Sequence, residues 1–245
     1  MSQDFTIERY REILSEAKKR FDFIRFGADA SREKVALWRH DIDFSPQRAL
    51  ALARIEAEMG LMSTYFVQLS SRYYSAFEPE IATILRQIVA MGHDVGLHFD
   101  AEVCSHRQQP DYQRRLAFEA RVLEEVTEAP VSTFSLHNPT TMVGDSLNEK
   151  EYVSLVNASS SSMRNEFSYC SDSNGLWRYR SLDDMVSDAL IGRLYVLTHP
   201  EWWQEIAMPP RHRIQRSIDG RAAYYSRYYD ALLAENERPN VGAVE

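Results

Sequence analysis

The chain has 245 residues, 44% of them hydrophobic and 26% charged, with a formal net charge of −8. That length suits one large α/β domain with a substantial core better than two small ones. The acidic balance argues against a general nucleic-acid binder, because neutralising phosphates takes clustered Lys and Arg. The stretch from Met1 to Tyr10 lacks the apolar core of a signal peptide, and no later run could span a bilayer. The only cysteines, Cys104 and Cys170, form no close-spaced pair, so a cytoplasmic protein with reduced thiols is expected.

In chain order, Thr6 to Arg20 is predicted to be a helix, with Ile7, Tyr10, Ile13 and Leu14 on one face. A first strand is predicted over Val35 to His40. Ser45 and Pro46 then open a helix, a preferred N-cap followed by a residue suited to the first helical position. That helix ends at Gly60. Ser63 to Val67 reads as strand, and Pro79 starts a helix that closes at Met91 and Gly92. Asp94 to Leu97 reads as strand, followed at once by His98. Tyr112 to Glu125 is a charged helix, and Val131 to Leu136 a strand ending at His137. Short strands are expected over Leu155 to Ala158 and Ser168 to Ser171. A helix from Leu182 to Leu190 and a strand from Leu194 to Thr198 follow, ending at His199. The tail from Arg211 to Asn236 is helical, with Tyr224, Tyr225, Tyr228 and Tyr229 at core-like spacing. Strands alternating with helices imply βα units and a mainly parallel sheet. No linker interrupts the chain, which reads as one domain over 1–245, with an N-terminal helix at about 5–20 and a C-terminal helical tail at about 209–237.

Four strands end in groups that can carry chemistry: Asp41 with Asp43, His98 with Asp100, His137, and His199. Alternate side chains of an extended segment share a face, so Asp41 and Asp43 point the same way. Carboxylates at the C-terminal end of a strand are where α/β enzymes keep their chemistry. The plainer reading is that Asp43 or Ser45 caps a helix and that each histidine is a loop residue bonded to backbone. Four such groups converging by chance is a weaker explanation than a site. Asp and His together form an oxygen-and-nitrogen set that divalent transition metals accept. His40 and His93 sit beside these groups, with opposite or undetermined facing, and read as structural.

The ordered set Arg-His-Asp-Ile-Asp, Gly-His-Asp-Val-Gly-Leu-His, Leu-His-Asn-Pro and Leu-Thr-His-Pro-Glu-Trp-Trp resembles the NodB-like polysaccharide deacetylases, carbohydrate esterase family four. The resemblance runs from residue 35 to about 203. It implies an α/β fold, a distorted (β/α)7 barrel of mainly parallel strands, and a metal-dependent hydrolase that removes acyl groups from N-acylated sugars. On that resemblance Asp41 is the general base, Asp43 and His98 bind the metal, and His199 stands in the general acid's place. The family's second metal histidine, four residues on, is here Glu102, with Asp100 and His106 as other candidate third ligands. Zn²⁺ is the expected ion, with Mn²⁺ or Mg²⁺ as alternatives because a glutamate makes the set harder and more anionic. His137 occupies the place of the arginine that orients the base. Asp172 and Trp177 loosely match the fourth motif, and Val196 replaces a leucine in the fifth.

Trp202 and Trp203 follow His199 and would form a sugar-stacking wall, although aromatics near a strand end usually pack in the core. Arg211, Arg213, Arg216, Arg221 and His212 would suit a phosphate, although a solvated helix face is the simpler reading. The expected substrate is a small-molecule or lipid-linked N-acyl sugar, with no nucleic-acid partner. The competing reading, favoured by Glu102 and His137, is a barrel that has lost catalysis and serves as a binding or assembly subunit.

Overall fold

The structure is a computed structural model and describes residues 5–104, 111–138, 147–177 and 179–242. Helix α1 (Ile7–Arg20) starts where the Thr6 side chain accepts the Arg9 N–H, and turns Tyr10, Ile13, Leu14 and Ala17 inward. Strands β1 (Asp22–Phe23) and β2 (Val35–Ile42) follow, then α2 (Pro46–Glu58), capped by the Ser45 hydroxyl on the Arg48 N–H. The chain leaves α2 through Gly60 at φ +68°, a conformation that favours glycine. The middle holds β3 (Thr64–Val67), α3 (Pro79–Ala90), β4 (Asp94–Phe99), α4 (Tyr112–Thr127) and β5 (Thr133–Leu136). Then come β6 (Glu151–Tyr152), β7 (Leu155–Asn157), α5 (Ser161–Glu166), β8 (Ser168–Ser173) and β9 (Leu176–Trp177). The chain closes with α6 (Leu182–Ser187), β10 (Arg193–Thr198) and α7 (Pro210–Glu235).

All the strands join one sheet, in the order β6-β7-β5-β4-β3-β2-β10-β8-β9, with β1 beside β2. Neighbours from β7 through to β8 run parallel, and β6 and β9 add antiparallel pairs at the two ends. The fold is therefore mixed α/β around a mainly parallel sheet. Among the described residues no ladder joins β7 to β8, so the expected barrel is not closed by backbone pairing. One side-chain bond crosses the interior instead: the Tyr195 hydroxyl on β10, the strand next to β8, donates to the Ala158 carbonyl just beyond β7, at 2.7 Å.

Strand β2 is buried along its whole length, and its alternation sorts the chemistry. Leu37 packs inside the curve of the sheet with Phe66, Ala158 and Tyr195, while Ala36 and Trp38 pack outward with α1 and α6. Arg39 and Asp41 therefore face inward and His40 outward, as period two requires. On β4, Gly96 is needed because a Cβ there would lie 2.6 Å from the Phe66 ring and 2.7 Å from the Thr133 hydroxyl. His98 stands on the same inner face, within the strand rather than after it. Helices α2, α3 and α4 cover the other face of β2–β5 through Ala49, Leu85, Leu123 and their neighbours.

The tail differs from expectation. Helix α7 forms, but Arg213 is its only buried residue, and Tyr225, Tyr228 and Tyr229 are exposed. A helical spacing of apolar residues shows that one face wants a partner, not that the same chain supplies one. No described helix is long and apolar enough to cross a membrane.

His40 and His93 share one buried partner, Glu56 on α2. Glu56 meets His40 Nε2 at 2.6 Å, lies 3.7 Å from His93 Nδ1, and accepts from the Tyr65 hydroxyl at 2.6 Å and from Tyr10. Burial alone would raise the Glu56 pKa, but the charge and hydrogen bond of His40, then His93 and Tyr10, hold it down at about 2. A carboxylate whose folded pKa is depressed contributes stability above its unfolded value and loses it as pH falls towards the folded one. Glu56→Gln should therefore cost about 3–5 kcal/mol in denaturant titration, the usual penalty for breaking a buried pair. It should also flatten the loss of stability between about pH 5 and about pH 2, where the native carboxylate resists protonation.

Candidate active site

The inner face of the sheet opens, at the carboxyl ends of its strands, into a cavity of about 610 Å³. Asp41, Asp43, His98, His137, Asp172, His199 and Trp202 all line it. Asp41 lies deepest. Arg39, two residues earlier on the same face, grips it with both nitrogens of a fork, Nε to Oδ1 at 2.7 Å and Nη2 to Oδ2 at 2.6 Å. The third arm of Arg39 donates to the Tyr195 hydroxyl at 2.8 Å. Burial pushes the Asp41 pKa up, but Arg39, with help from His98, outweighs it and holds the carboxyl below its ordinary value. The residue that orients the expected base is thus Arg39 and not His137. Its position was readable, since residues i and i+2 of a strand share a face.

Asp43 and His98 come together at the cavity floor, Oδ1 to Nε2 3.3 Å, and His98 Nε2 is 3.5 Å from Asp41 Oδ2. The other ring nitrogen of His98 is taken by the Ser135 hydroxyl at 2.7 Å, a residue beside it in register on β5. That bond fixes the ring and leaves Nε2 for the cavity, the support that metal-binding histidines have. Asp43 Oδ1 is buried without a hydrogen-bond partner. Burial raises the Asp43 pKa, yet His98, His199 and His137 together hold it well below the usual carboxylate range. An ionised oxygen and an imidazole nitrogen facing one another fit two ligands of a divalent ion. They do not make a full set: among the described residues no three His, Cys, Asp or Glu side chains form a metal-holding group.

Glu102 is exposed on the single 3-10 turn after β4, does not line the cavity, and its N–H donates to Asp100 Oδ1 at 2.9 Å. A spacing of four brings two side chains together only on a helix, and here it runs from a strand onto a turn. Asp100 turns to Gln68 (3.2 Å) and His137 (3.5 Å). His106 lies outside the described residues.

His199 approaches from β10. Its Nδ1 meets Asp172 Oδ1 at 2.5 Å and its own N–H donates to Asp172 Oδ2 at 3.1 Å. Thr198 bonds the same carboxylate and in turn accepts from the Trp203 indole at 2.7 Å. With Nδ1 held, Nε2 faces the cavity, 3.8 Å from Asp43 Oδ2. Burial disfavours a charge on His199, but Asp172 and then Asp43 outweigh it and raise its pKa well above the ordinary value. His137 stacks edge-on to His98, ring centres 5.3 Å apart, and does not touch Asp41. Trp202 lines the cavity, and its indole nitrogen has no partner. Trp177 lies outside the cavity lining, stacked on Phe5 at 5.0 Å, and Trp203 is core.

Glu201 was not foreseen. It is fully buried beside this group, and neither carboxyl oxygen has a hydrogen-bond partner. Burial raises its pKa well above the carboxylate range against the pull of His199, so it is held as a neutral acid.

No protein-family model matches the chain, and no curated protein matches it by sequence. Among solved structures it is similar to a CE4-family pseudoenzyme from Bacillus anthracis, at 12% identity and a TM-score of 0.43, over 70% of this chain and 56% of that one. It is similar to a family 4 carbohydrate esterase from Bacillus anthracis, at 12% identity and TM-score 0.42, over 87% of this chain and 86% of that one. A mutant CE4-family pseudoenzyme with restored enzymatic activity is matched at 13% identity and TM-score 0.44, over 70% and 58%. The chain spans little more than half the length of the pseudoenzyme chains. Likeness this distant carries neither an activity nor its loss to this protein.

The Asp172–His199 pair gives a direct measurement. Asp172→Asn removes the charge that holds His199 protonated, so the His199 titration followed by NMR should move to lower pH. An unmoved midpoint would show that Asp172 does not set the charge of that ring.

Proposed function

We propose that this cavity, on a sheet curved as a distorted (β/α)7 barrel, is a hydrolytic site that removes an acyl group from an N-acylated sugar or sugar precursor. The observation that carries the reading is the convergence of three differently prepared groups. Asp41 is locked by Arg39, Asp43 faces the free nitrogen of His98, and His199 is held by Asp172 with its other nitrogen towards the same space. A carbonyl bound here would have a base and an acid within reach, supplied by the neighbouring strands β2 and β10.

Asp43 and His98 would hold a divalent ion, Zn²⁺ first, with Mn²⁺ or Mg²⁺ as alternatives. Such an ion, when bound, acidifies water and polarises a carbonyl. The protein's own part is separate. Asp41, kept ionised and fixed in direction, accepts a proton from the attacking water. His199, kept protonated by Asp172, gives a proton to the leaving amine. Trp202, mostly packed in the core, contributes an apolar edge to the lining, the kind of surface a sugar ring packs on. A cavity of this size suits a small nucleotide- or lipid-linked sugar, while the acidic balance of the chain argues against nucleic acid. A second reading, a binding subunit without turnover, is favoured by one observation: the described residues offer two ligands and no third.

Release of acetate from N-acetylated nucleotide sugars, with and without added divalent metal, decides between the two. Hydrolysis is expected, and Asp41→Asn and His199→Ala should each lower turnover by roughly two to four powers of ten, the usual size of a general base or acid contribution. Calorimetric titration with Zn²⁺ is an independent check. Asp43→Ala should abolish binding, and Asp41→Asn should keep it. Wild-type protein that binds the sugar and releases no acid under any metal would support the binding subunit.

A further inference from the structure

Helix α7 runs for 26 residues, about 39 Å at 1.5 Å per residue, and buries one of them. Its first half is anchored. The Arg213 guanidinium sits 4.9 Å from the centre of the Phe5 ring, Arg216 bonds Gln204 (2.9 Å) and Glu205 (3.0 Å), and Arg221 bonds Glu78 at 2.5 Å. From Tyr225 to the end of the helix every residue but Leu233 is exposed. Yet the sequence there is not that of a solvated helix. Ile218, Tyr225 and Leu232 recur at intervals of seven, at 39%, 49% and 40% exposure, and Tyr228 and Tyr229 between them are each 57% exposed. That is the repeat of a two-helix seam, and it stays largely exposed although the Tyr225 hydroxyl bonds Glu78. A helical end this short is marginal in water without a packing partner.

We propose that the seam is covered by a second copy of the chain, its α7 lying antiparallel across a two-fold axis near Tyr225. Three observations select that occupant. The apolar residues are placed symmetrically, seven before and seven after Tyr225, so a reversed copy sets Ile218 against Leu232 and Tyr225 against Tyr225. This self-complementarity is what an isologous interface requires. The charges also run the right way. The first half carries Arg211, Arg213, Arg216 and Arg221 against the single acid Asp219, and the second carries Asp230 and Glu235 against the single cation Arg227. An antiparallel pair sets basic against acidic, whereas a parallel pair stacks like on like. Finally, the seam continues onto the body. Glu78 bonds both Arg221 and the Tyr225 hydroxyl (3.2 Å), and its neighbour Phe77 is 70% exposed.

Light scattering behind size exclusion, on the full chain at about 10 µM, where a micromolar interface is substantially filled, should give twice the chain mass. Tyr225→Glu combined with Leu232→Glu should give the single-chain mass with the remaining secondary structure unchanged by circular dichroism. Cysteine placement tests the direction without disrupting the seam, since Cys104 and Cys170 are both buried. On mild oxidation Tyr225→Cys should cross-link to itself. Leu232→Cys should not, but should cross-link when mixed with Ile218→Cys. A single-chain mass for the wild type overturns the proposal, as does a dimer that survives the double Glu substitution. Self-cross-linking of Leu232→Cys overturns the antiparallel arrangement. A monomer that sediments with anionic phospholipid vesicles overturns the second copy in favour of a membrane surface.

Discussion

The bidentate pair between Arg39 and Asp41 is the constraint around which the interior is arranged. Both side chains are nearly free of solvent, so each charge depends on the other for the solvation it lost. Once the pair is in place, the remaining donor of Arg39 must be satisfied, and Tyr195 meets it from β10 while donating onward to Ala158 beyond β7. One chain of hydrogen bonds thereby joins β2 to its neighbour β10 and to the segment just beyond β7. The same grip fixes the direction of Asp41 and lowers its basicity, so a base here is well aimed and weak. Alignment and ionisation are what the arrangement contributes, and proton affinity is what it gives up.

On the neighbouring strand β10 the logic is reversed. His199 is buried, which disfavours its charge, but Asp172 takes three hydrogen bonds from the Thr198–His199 segment and returns a negative charge to the ring. Two adjacent strands thus hold a carboxylate ionised and an imidazole protonated at one cavity, with Asp43 beside the imidazole. Environments that push titratable groups in opposite directions are how one fold supplies an acid and a base at the same pH. Glu201, neutral and without partners behind this group, has no role in that scheme.

Outside the sheet, β2 shows how narrowly the two histidine environments are separated. His40 and Asp41 are adjacent, and the pleat sends them to opposite faces: Asp41 to the cavity, His40 to Glu56 on α2. The outer network of Glu56, His40, His93, Tyr10 and Tyr65 is closed to solvent and gathered on the Glu56 carboxylate, with only His40 Nδ1 left unpaired among its ring nitrogens. It holds α1, α2, β2 and β3 in one position. The inner network is open to the cavity and left with an orphaned carboxylate oxygen. One polar cluster serves the fold and the other is available for chemistry.

The sequence by itself determined the alternation of strand and helix, the cap at Ser45, the shared face of Asp41 and Asp43, and the structural roles of His40 and His93. These follow from periods of 2 and 3.6 and from local capping, which act over a few residues. The Arg39–Asp41 pair was within reach of the same rule. What the tertiary structure alone decided lies between residues far apart in the chain. Asp172 meets His199 across 27 positions and Ser135 meets His98 across 37, through strand register that no local pattern encodes. The family resemblance suggested Glu102 as a ligand and helical spacing the α7 tyrosines as core, and the structure leaves Glu102 outside the cavity and Tyr225, Tyr228 and Tyr229 exposed. Sequence separation fixes a shared face only within one regular element, and the fold decides what that face meets.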